Sequence, residues 1–125
     1  MQITDSTASG RQVIEGYGEG AFRVSRTLHK GSLLVFADRT APWAVTDMAE
    51  LTAEALAEVA RAEPPIDVLL LGCGAKAAMV PKPLRDALRA EGVVIEAMDT
   101  GAACRTFNLL MAEERRAAAA LIAVE

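Results

Sequence analysis

Two glycine-bearing turns hold most of the residue types in this chain that could do chemistry. The first reads Gly72-Cys73-Gly74-Ala75-Lys76 and the second Met98-Asp99-Thr100-Gly101-Ala102-Ala103-Cys104-Arg105, with Asn108 a turn further on. Each follows an apolar run that reads as a buried strand, and in α/β units ligands gather outside the carboxyl ends of parallel strands. If the two strands are neighbours, both turns face one rim. Asp99 or Thr100 would cap the helix that begins there, leaving free N–H groups and a partial positive charge near Gly101 and Ala102. Arg105 adds a full charge and Lys76 another, so the rim could cradle a carboxylate or phosphate. The competing reading makes Asp99 and Thr100 ordinary caps and pairs Arg105 with a carboxylate inside the fold, such as Glu113.

Spacing tests three further chemistries. Residues 72–77, G-C-G-A-K-A, fit the dinucleotide fingerprint formally, and Glu96 lies 22 residues after Gly74. That fingerprint needs a helix opening at the glycines, whereas Pro81 and Pro83 push the next helix start to about residue 82. Cys73 and Cys104 could meet on the rim as a redox pair, with Cys104 made more acidic by a helix N-terminus. They stand 31 residues apart rather than in C-x-x-C spacing, and a buried cysteine also serves as a small hydrophobe. A nucleophile–histidine device would need His29, the single histidine, at a distant strand end. Two cysteines and one histidine fall short of a four-ligand zinc set, so no metal or cofactor is expected.

The elements that must position these turns follow from periodicity. Val13–Tyr17, Ala21–Ser25 and Ser32–Ala37 carry β-branched and aromatic residues between glycine turns and read as strands, with a short strand at Trp43–Val45. Thr52 can cap a helix running to about Ala62, stapled by Leu51 and Leu56 and ended by Pro64-Pro65. Ile66–Leu71 is nearly all apolar, as a strand covered on both faces must be. A helix over about 82–91, a strand at Val93–Ala97 and a last helical region over 101–123, broken near Glu113-Glu114, complete the chain. Ala117–Val124, apolar nearly all round, reads as a final helix packed into the core or against a partner, and Glu113-Glu114-Arg115-Arg116 as a solvated or self-paired face. Trp43, Tyr17 and Phe22 read as core or sheet-face residues, and an exposed Trp43 would mark an interaction surface. The expected fold is a single α/β domain over 1–125, a mixed sheet with a β-rich first half and a βαβα second half.

Composition narrows the function classes. At 125 residues with 52% hydrophobic side chains, the chain can bury a sizeable core without disulfides or metal. The net charge of −4 divides evenly between the halves, with no basic tail or stripe for a phosphate backbone, so nucleic acid is excluded as a partner. MQITDSTASGRQ has an acid at Asp5 and no apolar core, so no signal peptide is expected. The longest apolar stretches fall far below the ~20 residues of a membrane span, which points to a cytoplasmic protein.

Three stretches together resemble one family: Leu69-Leu-Leu-Gly-Cys-Gly74, Pro81-Lys-Pro-Leu-Arg85, and Met98-Asp-Thr-Gly-Ala-Ala-Cys-Arg-Thr-Phe-Asn-Leu-Leu-Met-Ala-Glu113. They are similar to the Mth-type domains of unknown function, whose relatives include the mitochondrial complex I assembly factor 3 and the adipogenesis-associated Mth-domain protein. The resemblance runs from Tyr17 to Ile122 and implies a three-layer β+β/α fold and a protein-binding role, with no catalytic residue to carry over. The family's motif falls on Gly72, Gly74, Met98, Thr100, Ala103, Cys104, Arg105, Thr106, Asn108 and Glu113. The chain departs at Cys73, where relatives commonly have threonine, and at Glu114 and Ala117, where they often show glycine and valine.

Three functional expectations follow. The first is a non-catalytic binding or assembly factor for other proteins, respiratory-complex or membrane-associated subunits by resemblance, working in the cytoplasm or at the inner face of the membrane. Its contact would be Gly72–Lys76 and Asp99–Asn108, with Trp43. The second is a small-anion or metabolite site, with possible enzymatic activity, on Thr100, Arg105 and the Gly101 and Ala102 amides. The third is a purely structural motif in which a buried Arg105 stabilises the fold by roughly 3–5 kcal/mol.

Overall fold

The computed structural model describes residues 10–125; the expectation of no signal peptide falls mainly on residues before this range. Strands β1 (Ile14–Gly18), β2 (Ala21–Val24) and β3 (Thr27–Lys30) form a small antiparallel sheet in sequence order. Next come β4 (Leu33–Val35), β5 (Thr40–Pro42), two 3-10 turns at Met48–Glu50 and Glu54–Leu56, and the one-turn helix α1 (Ala57–Ala60). The second half is β6 (Val68–Gly72), α2 (Lys82–Ala90), β7 (Val94–Met98), α3 (Thr100–Ala112) and β8 (Ala117–Leu121). The larger sheet has the order β5-β4-β8-β6-β7, with β6 parallel to both neighbours and β4 antiparallel to β5 and β8.

Local sequence accounts for the helix ends. Pro81 precedes α2 and Pro83 occupies its first turn, where a missing N–H costs nothing. Gly92, at φ +88°, closes it: its N–H donates to Arg89 O at 2.8 Å and the Val93 N–H to Leu88 O at 2.9 Å, a Schellman ending. The same ending closes α3, with Glu114 at φ +58° in the position that favours glycine.

The last helical region is the largest correction. The expected break near Glu113-Glu114 is there, but 117–121 forms a strand at the very centre of the large sheet. Alanine favours helix, yet a short apolar run alone does not distinguish a buried helix from a buried strand. Packing decides it: Ala117 to Ala120 are all at most 1% exposed, pressed between layers on both faces. The second half is therefore βαβαβ.

Smaller corrections concern the first half. The short strand lies at Thr40–Pro42, not Trp43–Val45, and the helix expected over 52–62 shrinks to a 3-10 turn and α1, although the Thr52 hydroxyl does cap by accepting from Ala55 N at 3.1 Å. Trp43 is buried and donates its indole N–H to Ala55 O at 2.8 Å, so it is core and not an interaction surface.

Two cores result, one on each face of the large sheet. Leu69, Leu71, Ala118 and Ala120 pack against Leu56, Val59, Leu84 and Leu88 from the α1 and α2 side. Leu70, Ala119 and Leu121 pack against Phe107 and Met111 of α3, which also meets Ile14 and Phe22 of the small sheet. The order is small sheet and α3, large sheet, then helices, the three-layer β+β/α arrangement.

Candidate functional site

The C-terminal ends of β6 and β7 do lie side by side, with Gly72 opposite Met98, so the two turns face one rim. The chain is tied there by short bonds. Cys73 N–H donates to Met98 O at 2.8 Å, Ile122 N–H to Gly72 O at 2.9 Å, and Thr100 N–H to Gly74 O at 2.8 Å. Thr100 is the centre of this knot. Fully buried, its hydroxyl accepts from Gly74 N–H at 2.9 Å and donates to Ile122 O at 2.7 Å, joining the ends of β6 and β8 to the start of α3.

The glycines make this approach possible. A Cβ on Gly72 would stand 3.0 Å from both Thr100 Cα and Thr100 Oγ1, and Gly74 sits at φ +102°. A Cβ on Gly101 would stand 2.8 Å from Tyr17 Cζ and closer still to the phenol oxygen. Tyr17 thus lies across the first turn of α3 from β1, while remaining 47% exposed.

The amides expected to form an anion cradle are mostly taken up inside the protein. Asp99 is the cap: its carboxylate accepts from Ala102 N–H at 2.9 Å and its carbonyl from Ala103 N–H at 3.0 Å. With the Thr100 N–H on Gly74, the Gly101 amide is the one helix-start donor without a protein acceptor among the described residues, and Tyr17 covers that glycine. Asn108 is an internal clamp: its carbonyl oxygen accepts from Ile14 N–H and its amide donates to Ile14 O, both at 2.8 Å. It acts as a surrogate strand edge that fastens β1 to α3.

Arg105 is exposed and forms no ion pair among the described residues, so the reading that buries it against Glu113 is overturned. It borders an open cleft of about 240 Å³ between β1 and α3, with Glu15, Tyr17, Cys104 and Asn108. Lys76 is exposed on the loop before α2. Beyond Tyr17 the surface continues into a second shallow depression of about 210 Å³ edged by Arg23 and Leu28. Leu28 and, on α3, Leu109 are more than half exposed.

The cysteines are not a redox pair. Cys73 belongs to the core on the α1 and α2 side of the large sheet and Cys104 to the core on the α3 side, so the sheet separates them. The expected acidification of Cys104 is reversed: burial pushes its thiol up to about 12, outweighing the neighbouring Arg105 charge. Among the described residues no three His, Cys, Asp or Glu side chains come together to hold a metal. No helix starts at the Gly72–Ala77 run, and His29 stands opposite Phe22 in the small sheet.

Sequence reasoning placed Gly72, Gly74, Thr100, Gly101 and Arg105 at one rim and missed Tyr17, 84 residues before Gly101. The available signal was Gly101 itself, since a glycine inside a helix start suggests close approach by another group.

Residues 14–122 match the family described as "Protein of unknown function (DUF498/DUF598)". The chain is 41% identical over 115 residues to an uncharacterized protein of Rhodobacter capsulatus, covering 91% of this chain and 86% of that one. It is 34% identical over 122 residues to NADH dehydrogenase [ubiquinone] 1 alpha subcomplex assembly factor 3 of Danio rerio, covering 98% of this chain and 70% of that protein. Among solved structures, one titled an outer membrane protein from Bartonella henselae superposes with TM-score 0.85 at 38% identity, covering 93% and 98% of the two chains. A Mth938-like domain from Bordetella pertussis superposes with TM-score 0.77 at 30% identity, covering 89% and 85%.

Proposed function

The chain belongs to the DUF498/DUF598 family of Mth-type domains, and from that premise we propose that it is a non-catalytic binding factor that helps assemble other proteins. The observation that carries this reading is the character of the rim. Its polar groups are bonded inward, through Thr100, Asp99 and Asn108, which leaves no set of convergent donors for a small ligand among the described residues, and the thiol beside them, Cys104, is buried and held in its protonated form. What faces outward around the shallow clefts is the half-exposed Tyr17, the exposed Leu28 and Arg105, which has no ion pair among the described residues. Tyrosine and arginine at the centre of a patch are the side chains that dominate protein–protein binding energy.

The contact surface is the outer face of Gly72–Lys76 and Asp99–Asn108 extended over Tyr17, with Lys76 and Arg105 as its charged members. By the role named for the Danio rerio relative, the partners are subunits of a respiratory complex or other membrane-associated proteins. No helix of the described residues is long and apolar enough to cross a membrane.

The test is affinity capture of the tagged protein from its host, membrane fraction included, beside its Arg105→Ala and Tyr17→Ala variants. Stoichiometric subunits that are recovered with the parent and lost with both variants, at unchanged melting temperature, support the reading. Equal recovery with parent and variants removes the rim as the contact, and a bait that retains no protein removes the binding role.

A further inference from the structure

At the opposite end of the large sheet, where β6 and β8 begin, lies a second cleft that the rim does not involve. Asp67 N–H donates to Arg116 O at 2.9 Å, holding the approaches to the two strands side by side. The cleft between them measures about 160 Å³. Phe36, Ile66 and Ala117 give it an apolar lining and Pro64-Pro65 a stiff wall. Its borders carry four arginines: Arg11, Arg39, Arg115 and Arg116.

Their charges are not equivalent. Arg39 is neutralised, 3.1 Å from Asp38 and 3.7 Å from Glu58, and its guanidinium lies 3.9 Å over the Phe36 ring. Arg11 directs Nη1 to Met111 Sδ at 3.6 Å and to Arg115 O at 3.3 Å, neither of them a carboxylate. Arg115 and Arg116 form no ion pair among the described residues, although Glu113 and Glu114 precede them directly; of the two readings of this run, the solvated face holds and the self-paired one does not. Three guanidiniums without an ion pair among the described residues thus surround an apolar cleft on a protein whose net charge is −4, and on the same border Glu63 is the one acid without a pair among the described residues.

We propose that this cleft docks an acidic, extended segment of a partner protein, which inserts one apolar side chain and sets carboxylates against Arg11, Arg115 and Arg116. The volume argues for a single anchor, since about 150 Å³ accommodates one benzene ring, whereas pockets for whole small molecules run to roughly 300–1,000 Å³. The charge argues for acidic flanks, because guanidinium forks pair carboxylates bidentately. This site stands apart from the rim and does not depend on Arg105.

The experiment is a display selection of random dodecapeptides on the intact protein, followed by binding of the synthesised winners to parent, Arg115→Glu/Arg116→Glu and Arg105→Ala proteins. Expected are winners rich in Asp and Glu around one large apolar residue. Their affinity should fall at least about tenfold in the double variant, fall again on raising salt from about 50 to 500 mM, and stay unchanged in Arg105→Ala. Both substituted side chains are exposed and their backbone bonds remain, so the double variant should melt like the parent. Should it not, the single Arg115→Gln variant gives the same comparison with a smaller loss. Winners without acidic bias, equal binding to parent and variants, or binding that survives replacement of the apolar residue by serine would each overturn the proposal. Because Arg105→Ala reports on the rim, loss of this site and loss of the rim contact are separately visible.

Discussion

Replacing Thr100 with valine keeps the shape of the side chain and removes only the hydroxyl that ties the rim together. In the parent that oxygen accepts from Gly74 N–H at 2.9 Å and donates to Ile122 O at 2.7 Å, in a site with no solvent exposure. The variant leaves one N–H and one C=O buried without partners, and each such orphan costs about 1–3 kcal/mol. Water cannot replace the hydroxyl, because the space is occupied: even a Cβ on Gly72 would be 3.0 Å from Thr100. The two orphans together give a loss of about 2–6 kcal/mol. For a chain of this length that is a fall in melting temperature of roughly 8–24 °C. Thr100→Ser keeps both bonds and loses one methyl group, about 1 kcal/mol. The assay is urea unfolding followed by circular dichroism, with the slope checked for constancy so that the change in midpoint reports stability. A Thr100→Val protein within about 0.5 kcal/mol of the parent, or a Thr100→Ser protein that falls as far as the valine variant, would refute the argument that this hydroxyl, and not side-chain packing, holds the rim.

Three further outcomes are expected. Glu114→Gly should stabilise the protein by about 0.5–1 kcal/mol, because glycine adopts the left-handed conformation that glutamate occupies here at φ +58° under strain; thermal melting measures it. Asn108→Ala severs both bonds to Ile14 and should cost about 1–3 kcal/mol, with faster amide exchange at Ile14 as its signature, since β1 loses its attachment to α3. The Cys104 thiol keeps its proton to about pH 12 in the folded protein and to about 9 when unfolded, so the unfolded state releases its proton first as pH rises. The stability this thiol contributes is therefore complete below pH 9 and declines above it, by up to about 1.4 kcal/mol per pH unit, a slope that Cys104→Ala should remove from the denaturation profile.

Much of the frame was legible because it rests on local rules. Pro81, Pro83 and Gly92 bracket α2 as proline-first and glycine-last preferences require, and the unbroken apolar run into Gly72 marks a strand covered on both faces. The run of residue types from Asp99 to Asn108 announced a capped helix, whereas the close approaches at Gly72 and Gly101 emerged only from the structure. Their partners come from far along the chain: Tyr17 onto Gly101, Ile14 onto Asn108, Ile122 onto Thr100. Side-chain spacing carries no trace of such pairings, because they are made by the sheet order and the docking of the small sheet. The same holds for the alanine run at 117–120, whose local preference is helical and whose place is the central strand, where both neighbours demand a partner and the run is buried on both faces. Tertiary structure also decided the fates of the charges and thiols, exposing Arg105, gathering Arg11, Arg115 and Arg116 around one cleft, and placing the two cysteines on opposite faces of a sheet. Local sequence determined where α2 and α3 begin and that 68–72 is a covered strand, because caps, prolines and an unbroken apolar run act at short range; the strand at 117–121 and the surfaces all the elements present were settled only when long-range packing chose their neighbours.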